Sequence, residues 1–167
     1  MGRFIRFGLA SVLLSTAAAI MGAHPAAAAP TGGCGVNLAA PQVLAAVEQL
    51  PPYAGMGWEW SSEPRSFDGN FNPCATLSTA LVPIEGGTGS SPTTALMFHN
   101  GHYLGTATSE AYGFTSLNAA QTTDDTVVLT YKTPGACNAC APAALTNVRY
   151  QWQGDHVVML DPPPPSG

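Results

Sequence analysis

The sequence predicts an α+β domain, with one N-terminal helix packed on an antiparallel meander sheet of five to six strands and braced by disulfides. Three observations carry this expectation. "PQVLAAVEQL" is the stretch whose apolar residues recur at helical spacing. From residue 79 onward the apolar residues come in short runs separated by turn dipeptides, among them Asn100-Gly101 and Gly154-Asp155. Four cysteines, Cys34, Cys74, Cys137 and Cys140, follow an export signal, a context in which thiols pair.

The elements are justified in chain order. Residues 1–28 read as a secretory signal peptide: Arg3 and Arg6 give a positive start, an apolar run follows, and "AHPAAAAP" closes it. Ala26 and Ala28 suit the −3 and −1 positions of signal peptidase, so residues 29–167 form a single secreted domain. Pro41 fits a first helical position, and Val43, Leu44, Val47 and Leu50 form one apolar face. Pro51-Pro52 stops that helix. The next twenty residues are Gly-rich and aromatic, with a short strand near Trp58–Ser61. A helical turn at Pro73 leads into a strand at Thr79–Glu85. Thr94–Phe98 and Tyr103–Ala107 flank Asn100-Gly101 as a hairpin. Thr126–Lys132 is a further strand.

A second hairpin turns at Gly154-Asp155. Val148, Tyr150 and Trp152 take one face of its first strand, and Asn147, Arg149, Gln151 and Gln153 the other. A two-residue loop pairs Trp152 with Val157 and Tyr150 with Met159, which continues the buried face across both strands. "DPPPPSG" at 161–167 cannot join a ladder and leaves as a Pro-rich polyproline tail.

Composition narrows the function. Without Arg3 and Arg6, three basic residues (Arg65, Lys132, Arg149) face ten acidic ones, a net charge of −7. Such a surface repels phosphate backbones, so no nucleic-acid partner is expected. Stable membrane insertion after signal cleavage is not expected either.

Four groups of residues are candidates for chemistry. His99 and His102 flank the first hairpin turn, close enough to share an ion, but a metal site needs at least three protein ligands and no third stands nearby. They read as neighbours made by the turn, with no metal and no cofactor. Cys137 and Cys140 have the C-x-x-C spacing of redox pairs, yet they stand in a strand connection rather than at a helix N-terminus, and read as a loop-stapling disulfide. Of the three connectivities possible for four cysteines, Cys34–Cys74 with Cys137–Cys140 is the preferred one. No serine sits in a G-x-S-x-G elbow, and the carboxylates cannot be paired from sequence, so no catalytic residue is assigned. Trp58, Trp60, Tyr112 and Phe114 occur in Gly- and Ser-rich loops, where rings line ligand grooves or plug the end of a sheet.

These residues also carry a resemblance. "NPCATLSTALV", "SSPTTALMFHNGHYLGTATSEAYGF", "DDTVVLTY" and "VRYQWQGDHVVMLDPPPP", with the Cys34-Gly35 pair and the short helix ending "LPP", resemble the LppP/LprE lipoprotein family of actinobacteria. The likeness covers residues 34–165 and is most specific from Ser90 to Phe114. It implies an envelope or secreted location and no particular reaction. It also supports Cys34 and Cys74 as a pair, and implies that His99 recurs while His102 varies. One departure is that Thr31-Gly32-Gly33, not a lipobox, precedes Cys34; soluble secretion is therefore expected rather than a lipid anchor.

The resulting expectation is an exported, non-catalytic protein, envelope-associated or extracellular. It would bind a small or polymeric envelope ligand, or a protein, through Trp58, Trp60, His99, Tyr112 and Phe114. The alternative is a secreted enzyme, either a thiol–disulfide oxidoreductase at Cys137/Cys140 or a hydrolase around His99/Glu110. Ligand identity and oligomeric state stay open.

Overall fold

A computed structural model describes residues 33–53 and 57–165. The expected signal peptide and the last two residues of the expected tail, 166–167, lie outside these. Ten short elements follow one another: a helix α1 (Pro41–Val47), a 3-10 turn (Pro64–Ser66), and strands β1 (Asp68–Gly69), β2 (Ser78–Pro83), β3 (Thr93–His99), β4 (His102–Thr106), β5 (Thr115–Leu117), β6 (Thr126–Thr133), β7 (Ala144–Gln153) and β8 (His156–Met159).

The expected single sheet is not what forms. The strands divide into two four-stranded antiparallel sheets, β1-β2-β3-β4 and β5-β6-β7-β8. The fold is therefore mostly β with one short helix, not a helix on a five- to six-stranded meander. The reason lies in the number of buried faces. Leu77, Leu81, Ala95 and Met97 from the first sheet pack on Val127, Leu129, Tyr131, Val148 and Tyr150 from the second. The opposite face of the first sheet, with Ala80, Val82, Leu96 and Phe98, packs on Val43, Ala46 and Val47 of α1 and on Phe67 and Phe71. The first sheet is thus a middle layer, dry on both faces along β2 and β3. A strand buried on both sides reads as a continuous apolar run, which by periodicity alone does not report how many layers cover it.

Each expected strand from residue 79 onward forms, with small shifts at its ends. The hairpin register holds as well: Tyr150 faces Met159 and Trp152 faces Val157. The buried face does not run on as far as expected, because Met159 is 45% exposed. The strand expected near Trp58–Ser61 is reduced to isolated bridges, Tyr53 with Trp58 and Trp60 with Ile84. Strands β1 and β5 are additions, each too short to show a period. Gly69 has a positive φ, and a Cβ there would collide with the carbonyl oxygen of Thr79, so β1 lies close against β2 only as glycine.

Polar ties join the two sheets at their β1/β5 side. Asp68 Oδ2 accepts from the Leu117 N–H at 3.3 Å, and the Asp124 carbonyl accepts from the Leu77 N–H at 2.8 Å. Asp124 Oδ2 also accepts from Thr76 Oγ1 at 2.6 Å. The disulfides are Cys34–Cys74 and Cys137–Cys140. The first ties the N-terminal segment to the turn before β2. There Asn72 Oδ1 accepts from the Gly35 N–H at 3.1 Å, and the Phe71 carbonyl accepts from the Asn37 N–H at 2.9 Å.

Candidate functional site

The two histidines of the first hairpin separate in role. Asn100 and Gly101 both take positive φ, 47° and 78°, which makes a tight two-residue turn, and His99 faces His102 across it. His99 Nδ1 lies 2.6 Å from the Thr76 carbonyl oxygen, which can only accept, so Nδ1 carries the proton. Nε2 then accepts from the Asn100 amide at 2.9 Å. The ring stacks on Trp152 of β7 with centroids 3.8 Å apart and planes within 11°. His99 is thereby a clamp between the sheets, with both nitrogens occupied. His102 is exposed. The third histidine beyond the signal, His156, lies 2.8 Å from Asp155 Oδ1 at the exposed second turn.

A cleft of about 740 Å³ opens at the far end of β3. Its rings come from three separate stretches: Tyr53 and Trp60, Tyr112 and Phe114, and Tyr131. Each is placed by a local cause. The helix ends at Val47, earlier than the expected stop at Pro51-Pro52; that pair then leads the chain into Tyr53, and Trp60 Nε1 donates to the Pro51 carbonyl at 2.8 Å. Tyr112 bridges Thr93 at the start of β3. Tyr131 is 2% exposed; it meets Tyr112 edge-on at 5.0 Å, and its hydroxyl lies 2.8 Å from that of Tyr150. Burial raises the pKa of both Tyr131 and Tyr150 above the ordinary phenol range, so the pair is a neutral hydrogen-bonded couple.

Phe114 is the unusual member. Its φ is 54°, a left-handed conformation that costs a bulky L-residue about 1–2 kcal/mol. Three contacts hold it there: its N–H donates to the Gly89 carbonyl at 2.9 Å, its carbonyl accepts from the Lys132 N–H at 3.3 Å, and the Lys132 ammonium stands 4.5 Å over its ring. Gly113 is required beside it, since a Cβ there would meet the Ser90 carbonyl. Lys132 Nζ also donates to the Asn138 carbonyl at 3.0 Å, which fixes the Cys137–Cys140 loop as one wall of the cleft.

Of the residues singled out in the sequence, Trp60, Tyr112, Phe114 and Glu110 line this cleft, whereas Trp58 and His99 do not. Trp58 is 41% exposed and stacks on Tyr53 at 6.1 Å. Glu110 stands with Thr94 beside the start of β3, while His99 ends it. The seven residues of β3 span about 20 Å at about 3.3 Å per residue, so the two are not brought together as an acid–base pair. Cys137 and Cys140 are bonded to one another in the β6–β7 loop, without a helix to lower a thiol pKa. Cys34 is bonded to Cys74.

Sequence reasoning missed Tyr53, Tyr131, Lys132 and the prolines of the cleft. The position of Tyr53 directly after Pro51-Pro52 was a usable signal. For Tyr131 and Lys132 the signal was absent, because a strand pattern says which residues share a face but not which end of the strand meets a cleft.

Among the described residues, no helix is long and apolar enough to cross a membrane. No solved structure matches the chain. It is 35% identical to the LprE protein of Mycobacterium leprae over 131 residues, which is 78% of this chain and 61% of that protein. With LprE of Mycobacterium tuberculosis it shares 35% identity over 128 residues, 76% of this chain and 58% of that one. The chain thus spans about three-fifths of the length of these relatives. The family described as LppP/LprE lipoprotein matches residues 69–155, which run from β1 through both sheets to the second hairpin turn. On that match the chain belongs to the LppP/LprE lipoprotein family.

Proposed function

We propose that this chain is an exported, non-catalytic protein of the cell envelope that holds a ligand in the aromatic cleft at the start of β3. The observation that carries the reading is the convergence of five rings from three distant stretches on one open cleft, one of them held in a left-handed conformation. Strained backbone concentrates at ligand-binding sites, and a ring-lined concave surface is the usual form of such a site, so the strained Phe114 at this cleft favours a binding role. Family membership and the lipoprotein names of the relatives support the envelope location.

The test is cosedimentation with an insoluble mycobacterial cell-wall fraction, for the unchanged chain and for Phe114→Gly. Glycine adopts the positive φ without strain, so this variant removes the ring and keeps the fold. The unchanged chain is expected to sediment with the wall, and F114G about tenfold less, the scale of one lost aromatic anchor. Equal sedimentation of the two, or none by either, would overturn the reading.

A further inference from the structure

We infer that the cleft recognises an extended, proline-rich peptide, and that Pro162–Pro165 of the chain already seat such a segment at one end of it. This rests on the cleft being a binding site and names its ligand class.

The first ground is the chain's own behaviour. Pro164 and Pro165 line the cleft together with Tyr53, Trp60 and Phe114. The tail expected to leave the domain instead turns along it. It is delivered there by Asp161, whose two carboxylate oxygens accept from Arg149 Nε and Nη2 at 2.7 and 2.8 Å and from the Arg149 N–H at 3.1 Å. The Leu160 N–H donates to the Arg149 carbonyl at 2.8 Å, which continues the line of β8 beyond its last ladder pair. Consecutive prolines hold a polyproline helix with little entropy left to lose, and flat rings are the surfaces that grip it.

The second ground is that several of the cleft's polar groups are already engaged. A hydroxyl-rich glycan needs free polar side chains to replace its hydration. Here Thr106 Oγ1 donates to the Thr108 carbonyl at 2.9 Å and Thr108 Oγ1 to the Glu110 carbonyl at 2.7 Å. The Trp60 indole N–H is likewise spent on Pro51, and one of the three Lys132 donors goes to Asn138. Ser109, Glu110, Thr133 and Asn138 add polar groups to the lining, and it is the rings standing with Pro164 and Pro165 that favour a ligand held by shape and apolar contact.

The experiment follows the Trp60 indole N–H resonance of the full chain during titration with octaproline, with a Gly/Ser octapeptide and with a soluble N-acetylglucosamine hexamer. The double variant P164S/P165S is titrated in parallel. Octaproline is expected to move the resonance, and the variant to bind it about fivefold more tightly, because a resident segment lowers apparent affinity by the fraction of time it covers the site. F114G should weaken octaproline binding about tenfold. If neither the full chain nor P164S/P165S binds octaproline better than the Gly/Ser peptide, while the sugar hexamer binds, the peptide class is overturned and the cleft's binding role stands. If no probe binds and wall cosedimentation fails as well, both fall. Octaproline binding that P164S/P165S leaves unchanged overturns the seating of the chain's own prolines.

Discussion

In β2, Ser78, Thr79, Ala80, Leu81 and Val82 are all buried; in the ten residues of β7, only Val148 and Tyr150 are. Both strands lie in the interior of a four-stranded sheet, so position within the sheet does not explain the difference. The number of layers does. The first sheet carries α1 and the Phe67–Phe71 segment on one face and the second sheet on the other. The outer face of the second sheet carries Asn147, Arg149 and the Arg149–Asp161 pair. The two strands teach different lessons about sequence. Alternation in β7 names its buried face directly, whereas the apolar run Ala80–Val82 in β2 states only that both faces are dry. Even the polar members of β2 conform, since Thr79 Oγ1 donates across the strands to the Leu96 carbonyl at 2.9 Å and leaves no hydroxyl unsatisfied.

A lysine placed on each face is the strongest way to break this comparison. Ala80→Lys, on the helix side of β2, and Val148→Lys, on the inner face of β7, each put an unpaired ammonium into a dry core and should cost about 4 kcal/mol or more, enough to unfold a domain of this size. Gln153→Lys, on the outer face of β7, should stay within about 0.5 kcal/mol. Urea denaturation measures all three. A well-folded A80K would show that the helix side of the first sheet is wet, and the layering would fail.

The tyrosine couple on the inner face of the second sheet gives an intermediate effect. Tyr131→Phe or Tyr150→Phe alone leaves the other hydroxyl buried without its partner, at a cost of about 1–3 kcal/mol. The double variant should cost less than the sum of the singles. Additive values in a double-mutant cycle would mean that the two hydroxyls do not depend on one another, and that β6 and β7 meet there by ring packing alone.

The smallest effect belongs to the wet face. Arg149 holds the Asp161 carboxyl down to about 2, first through the side-chain hydrogen bond. A depressed carboxylate stabilises the fold above its unfolded value near 3.8 and loses that contribution as pH falls through the folded value. The anchoring of Pro162–Pro165 should thus be constant from neutral pH down to about 4 and weaken between about pH 4 and 2. Asp161→Asn should release it at neutral pH. Amide resonances of residues 160–161 report the release, while the unfolding midpoint in urea stays nearly unchanged. Loss of the anchoring above pH 5 would exclude Asp161 as its cause.

The candidate site was legible in proportion to how local its causes are. Trp60, Tyr112 and Phe114 stood out because aromatic residues in Gly- and Ser-rich loops have no strand face to occupy. Trp58 has the same signature but ends up stacked on the outer side of Tyr53, a choice made by the Tyr53–Trp58 bridge and not by any neighbour in sequence. His99 was drawn into the expected surface by its position beside a turn. The structure gives it a different task, at the other end of β3, because Trp152 from the second sheet arrives to stack on it.

By itself the sequence determined the two tight turns, the register of the second hairpin and the positions of the strands from residue 79 on apart from β5, and it favoured one of three cysteine connectivities. All of these depend on interactions within short stretches or on the chemistry of a thiol. Tertiary structure alone decided that the strands split into two sheets, that a seven-residue helix and two phenylalanines close a third layer, and that a proline segment folds back onto a cleft. Each of those outcomes turns on which apolar face meets which. That is a matter of burying surface between distant segments, and such surface is non-directional and leaves no mark of its partner in the residues that form it.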